Sequence, residues 1–232
     1  MNAMDCRLIL LEGPVGAGKS TTGELLAERL SARGQAAEYW FGFAPDHPIT
    51  TRCERFARQV FGGDEDAAPP ALDPGDEQVF TAPQWARFAE RLAVGDAVAI
   101  VEGKYFQQCL EYPYLLGASV DEVRSIQQAI VGAMAPATPR LIAFEVSDPA
   151  AHRAAVCSER PPHWPATLGG FFARHPWNRA GLEGADAFHA FYDEWAPIEA
   201  ELIGSHPGPT LRLLDAQRDR DAAWDAIDAF LG

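Results

Sequence analysis

Apolar residues gather in five short runs along the chain: Leu8–Leu11, Ala36–Phe41, Ala97–Val101, Leu141–Val146 and Leu211–Leu214. Each is mostly apolar with no polar alternation, the pattern of strands buried on both faces of a parallel sheet. The stretches between them carry helical spacing. Thr22, Leu26 and Leu30 recur at every fourth position and predict a first helix from Lys19 to about Ala32, with Gly34 as its stop. Trp85, Phe88 and Leu92 form a second stripe, and Phe188, Phe191, Trp195, Ile198 and Leu202 a third, which Pro197 is expected to kink or split. Trp224, Ile227 and Leu231 mark a closing helix. Core packing is the expected role of all three stripes. Strands alternating with helices predict an α/β fold with right-handed crossovers. Two stretches break the pattern. Residues 62–76, GGDEDAAPPALDPGD, read as a surface loop, and Pro161 to Pro176 reads as irregular because it is rich in Pro, Gly and aromatics.

At 232 residues, with no convincing linker, a single domain is expected. Acidic residues outnumber basic ones by 33 to 19, for a net charge of −14. That average field repels nucleic acid and anionic membranes, so neither is expected as a partner, although a local pocket for phosphates remains compatible with it. Cys6, Cys53, Cys109 and Cys157 are far apart in the chain and form no metal-ligand spacing. Reduced thiols, no basic-then-apolar leader and no apolar run of about 20 residues together predict a cytoplasmic protein.

The most specific chemical signal is Gly13-Pro14-Val15-Gly16-Ala17-Gly18-Lys19-Ser20, which fits G-x-x-x-x-G-K-[ST]. It follows a strand-like run and opens an amphipathic helix, which is the context the motif requires. Glycines let backbone N–H groups converge on phosphate oxygens, and the helix turns its positive end to the same anion. ATP phosphates are expected on Gly13, Val15, Gly16, Ala17, Gly18, Lys19, Ser20 and Thr21, with Lys19 reaching the β- and γ-phosphates and Ser20 ligating Mg²⁺. A phosphoryl-transfer site also needs acids near the metal and near the attacking oxygen. The apolar run Val98 to Val101 ends in Glu102, placed to hold Mg²⁺ through water or to orient the acceptor. Trp40, Phe41, Phe43 and Tyr105 stand near strand ends and read either as walls of an acceptor pocket or as core.

The opening Leu8-Ile9-Leu10-Leu11-Glu12-Gly13, with Gly18-Lys19-Ser20-Thr21, resembles thymidylate kinases and their deoxynucleoside-kinase relatives, Glu12 before the first glycine in particular. Over most of its length the chain also resembles a poorly characterised bacterial family of P-loop kinase-like proteins. The shared features are Tyr39-Trp40-Phe41-Gly42, Glu102 with Phe106-Gln107, Arg153 with Glu159-Arg160 and Trp164, Pro176-Trp177 and Leu182-Glu183-Gly184. The resemblance implies a nucleotide-kinase-like three-layer P-loop sandwich with a five-stranded parallel sheet and a helical lid at about residues 150–182. It also implies a general base after the second strand, for which Asp46 and then Glu38 are the candidates, although Asp46 before His47-Pro48 also reads as a turn. Lid arginines are implied as well, Arg153 and Arg160 ahead of Arg174 and Arg179. The kinases carry an arginine after the strand-end acid where this chain has Gly103-Lys104.

The expected activity is transfer of the γ-phosphoryl group of ATP, with Mg²⁺, to a small-molecule acceptor. Nucleosides or nucleotides are the first class by resemblance, and a sugar, amino-sugar or antibiotic hydroxyl is the alternative. A regulatory NTPase switch or nucleotide-binding module is a reading of another class. The chain lacks the Asn-Lys-x-Asp tetrapeptide with which GTPases read guanine. A homodimer is compatible with these readings.

Overall fold

The computed structural model describes residues 5–44, 46–49 and 82–232. The expected loop at 62–76, like Cys53, lies outside the described residues. In chain order the elements are β1 (Leu8–Glu12), α1 (Lys19–Ala32), β2 (Ala37–Trp40), α2 (Ala82–Val94), β3 (Val98–Glu102), α3 (Phe106–Cys109), α4 (Glu111–Leu115) and α5 (Val120–Met134). They continue with β4 (Arg140–Glu145), α6 (Pro149–Glu159), α7 (Trp164–Phe172), α8 (Gly184–Gly204), β5 (Thr210–Leu214) and α9 (Arg220–Leu231). The strands form one five-stranded sheet in the order β2-β3-β1-β4-β5, with every neighbouring pair parallel. Among the described residues no helix is long and apolar enough to cross a membrane.

This order decides where a ligand can enter. The connection after β1 runs towards the β2 edge, whereas those after β2, β3 and β4 all run the other way. Right-handed crossovers therefore put α1 on one face of the sheet and the helices α2 to α8 on the opposite face. The side chains divide accordingly. Leu8, Leu10, Ala99, Val101, Leu141 and Ala143 enter the larger core with α2, α5 and α8, while Ile9, Leu11, Val98, Ile100, Ile142 and Phe144 enter a smaller core with α1 and α9. Ligands of open α/β sheets bind beyond the carboxyl ends of strands, where successive connections diverge. Here that place is the end of β1.

The central strands β1 and β3 are buried throughout, but the edge strands β2 and β5 are only half-buried, and Leu214 is 63 % exposed. Full burial of all five strands was therefore too strong an expectation, because an edge strand has a neighbour on one side only. Two helical expectations also need correction. The stretch expected to be irregular contains α7: Pro165 falls in the first turn, where its missing N–H costs no hydrogen bond. Gly169 is inside α7 because α8 lies against it. A Cβ there would stand 1.6 Å from the Gly184 carbonyl oxygen. Of the two outcomes expected at Pro197 the split does not occur: helix α8 continues through it for 21 residues, held to the core by Trp195, Leu202 and Ile203.

Gly169→Ala should consequently destabilise the protein at the upper end of the usual overpacking range, about 3 kcal/mol, or roughly 6 to 12 °C in Tm. Gly132 of α5 meets nothing within 4 Å at the same position, so Gly132→Ala should stabilise by about 0.5–1 kcal/mol. Thermal melts of the two variants check both signs, and a neutral Gly169→Ala would show that α7 is free to shift away from α8.

Candidate functional site

Strand β1 delivers the chain into the glycine-rich loop 13–18, and α1 begins at Lys19. Gly13 adopts φ 133° and presses on β4, where a Cβ would stand 2.2 Å from the Phe144 carbonyl oxygen. Gly18, with φ 98°, is the N-cap of α1 and supplies no side chain to satisfy its first turn. Within this loop Ala17 N–H donates to the Pro14 carbonyl and Thr22 N–H to the Gly18 carbonyl. Among the described residues, the N–H groups of Gly16, Gly18, Lys19, Ser20 and Thr21 donate to no carbonyl. They border a cleft of about 440 Å³ lined by residues 15–22, Glu102, Gln107 and Arg160, with Leu25, Phe41, Phe43 and Trp224 as apolar wall. Converging free N–H groups at a helix N-terminus make an anion cradle.

Other elements fix the loop from outside. The His152 ring shares a 2.9 Å hydrogen bond with the Val15 carbonyl, and Val156 of the same helix packs on Gly16. Gln217, after β5, donates to the Gly16 carbonyl.

Strand parity then sorts the acids. Glu12 continues the Leu8–Leu10 face and points to the larger core, whereas Glu102 continues the Val98–Ile100 face and points to α1. Glu102 is buried and accepts from Ser20 Oγ at 2.7 Å and from the Tyr39 hydroxyl. Burial and this carboxylate together push the Tyr39 phenol above its ordinary range, so it stays a donor. Gly23 of α1 lets the Tyr39 ring approach, since a Cβ there would fall 2.3 Å from it. Lys19 is 5 % exposed, and its ammonium donates to the Gly13 and Pro14 carbonyls at 2.7 and 2.8 Å. Burial pulls its pKa down, while Glu102, Glu12, Glu199 and Glu111 draw it back up. Glu12 is wholly buried. Its Oε1 accepts from Tyr105 N–H at 2.8 Å, its other oxygen has no hydrogen-bond partner among the described residues, and burial raises its pKa against the pull of the Tyr105 and Phe106 backbone and of Lys19.

The structure thus brings residues 15–21, Glu102 and Arg160 to one cleft, whereas Gly13 lines a second, smaller cavity. Arg160 ends α6 and lies over the Trp164 ring at 5.8 Å. Arg153 is elsewhere: its guanidinium is ion-paired to Asp193, donates to His189 at 3.2 Å and lines that second cavity. Asp46 is exposed, in the turn closed by the His47 N–H to Ala44 carbonyl bond, and lines neither cavity. Glu38 pairs with Arg91 at 3.4 Å. Tyr105 is fully buried against Trp85 and Phe106, so of its two readings the structure takes the core one. Lys104 is wholly buried and clasps the Gly42 carbonyl and Gln108, which gives it a structural task.

Sequence reasoning missed Tyr39 as the partner of Glu102 and Glu12 as a buried acid. Both sat in plain view as polar residues on strands whose parity assigns them a face. No protein-family model matches the chain, and no curated protein matches it.

Proposed function

We propose that the protein is a P-loop phosphotransferase that moves the γ-phosphoryl group of ATP to a hydroxyl of a small molecule. The observation that carries this reading is the cradle of free N–H groups at Gly16 and residues 18–21, closed by a buried lysine and facing a hydroxyl–carboxylate pair. The loop N–H groups and Lys19 would hold the triphosphate, and the apolar wall around Trp224 offers a surface for the base. Ser20 and Glu102 present oxygen ligands of the kind Mg²⁺ takes, and the metal would neutralise charge on the phosphates. In the transfer, the acceptor oxygen forms a bond to the γ-phosphorus as the bond to the bridging β,γ-oxygen breaks, ADP leaves, and the hydroxyl proton passes to a carboxylate or to water. Arg160, at the rim of the same cleft, is placed to meet the charge that spreads over the moving group. In solution the protein should bind ATP with Mg²⁺ and consume it with a suitable acceptor, giving a product one phosphoryl group heavier by mass spectrometry. Absence of ATP binding in calorimetry would sink the reading.

A further inference from the structure

A second cavity, of about 50 Å³, lies behind the glycine-rich loop, on the face of the sheet that carries α2 to α8. It touches the main cleft at Val15 and Gln107, which line both. Its far wall is one stripe of α8, where Phe188, Tyr192, Trp195 and Glu199 recur at helical spacing, and Glu111 of α4 faces them. Among the described residues, neither the buried Glu111, 7 % exposed, nor the half-buried Glu199 makes a hydrogen bond or an ion pair through its carboxylate. Of the cations in reach, Arg153 is already neutralised by Asp193, and the Lys19 ammonium, which acts on both acids through space, is hydrogen-bonded to the Gly13 and Pro14 carbonyls and not to either carboxylate. The unpartnered oxygen of Glu12 adds a third acid in the same field.

Buried carboxylates without partners are disfavoured unless something supplies the missing charge. Burial and then the nearby Glu199 push Glu111 well above the usual carboxylate range, and burial pushes Glu199 up to about 7, with Lys19 pulling against both shifts. Aromatic faces beside acids form the kind of cage that holds an organic ammonium. A bare metal ion fits less well, because among the described residues no three His, Cys, Asp or Glu side chains converge to hold one. A phosphate-bearing acceptor would meet repulsion. The volume exceeds several times the roughly 10–15 Å³ one water needs, which suits the amino end of a small molecule.

Resting on the phosphotransferase reading, we propose that this cavity is the acceptor site and that it takes a protonated amine, an amino alcohol or amino sugar, held between Glu111 and Glu199. The acceptor hydroxyl then emerges at Val15 and Gln107, beside the phosphate cradle.

Paired probes test this by calorimetry, ethanolamine against ethylene glycol and glucosamine against glucose, with ATP binding titrated separately. Trp164 and Trp195 line the cavity, so their fluorescence reports whether a probe enters it. At least one amine should bind tenfold or more tighter than its neutral partner, change the tryptophan emission, and lose that advantage in the Glu111→Gln, Glu199→Gln double variant. ATP affinity should be unchanged in that variant, and its Tm unchanged or higher, because no partnered charge has been removed. Equal binding or no binding of both members of each pair overturns the proposal. So does amine binding that survives the double replacement, or a fall of many degrees in Tm, which would make the acids structural counter-ions of Lys19. Amine binding without ATP binding would leave an amine site standing but overturn its role as an acceptor site, together with the phosphotransferase reading. ATP binding without amine selectivity would overturn this inference and leave the phosphotransferase reading standing.

Discussion

Lys19→Met should lower phosphoryl transfer by a hundredfold or more while the protein remains folded. Lys19 carries the one ammonium directed at the loop carbonyls of Gly13 and Pro14, in the buried space between Glu102 and Glu12. An anion on the cradle would meet that charge at short range and low dielectric, where removal of a single donor to a transferring group costs about 10² to 10³ in rate. Methionine keeps the volume and the unbranched stem, so packing is retained. The Gly13 carbonyl that Lys19 served keeps a second donor, the Gln107 side-chain amide at 3.2 Å. Stability should shift as well. Among the described residues Glu12 has no hydrogen-bond partner for one oxygen, and without the lysine its carboxylate form becomes less favourable still. A group whose folded pKa is raised confers stability that is complete below the unfolded value and lost as pH rises through the folded one. The variant should therefore resemble the parent near pH 4 and fall below it progressively above neutrality. Steady-state rates and melts across that range measure the two effects separately. Undiminished turnover would mean that the cradle does not hold the transferred group.

Much of this architecture could be read from the chain because its signals are local. An apolar run bounded by glycine, a helix opening at Lys19 and a strand ending in Glu102 each depend on a few adjacent residues, and the observed bounds of β1 and α1 fall within a residue of the expected ones. The misreadings have a common physical origin. Pro165 and Gly169 look like helix breakers in one dimension, but their meaning comes from a helix start and from the close passage of α8. Arg153 has the sequence context of a lid arginine, and nothing in its segment announces the pair it makes with Asp193, 40 residues away. Glu111 and Glu199 were invisible as a pair, because nothing in either segment announces the other. Only the packing of α4 and α8 behind β1 brings them to one cavity. Tyr39 belongs to the same class: its hydroxyl meets Glu102 because β2 pairs with β3 in the register that sets Tyr39 against Ile100.

That register makes Glu102 the second position where one atom matters. Glu102→Gln should reduce transfer by about 10- to 100-fold and raise the Mg²⁺ concentration needed for half-maximal rate by a similar factor. The amide keeps the shape and an oxygen that can accept from Ser20, so the geometry at 2.7 Å can persist while the negative charge is lost. ATP itself should still bind, since the loop N–H groups and Lys19 are untouched. Tyr39→Phe serves as the graded companion. It removes one donor to the carboxylate but leaves the charge, and it should cost less in rate and alter the Mg²⁺ requirement in the same direction. Rates measured against Mg²⁺ at saturating ATP distinguish the causes. A Glu102→Gln variant with reduced rate and an unaltered Mg²⁺ curve would place the carboxylate with the acceptor hydroxyl instead of the metal. A variant with parental rates would show that Glu102 only fastens Ser20 and Tyr39 to the end of β3.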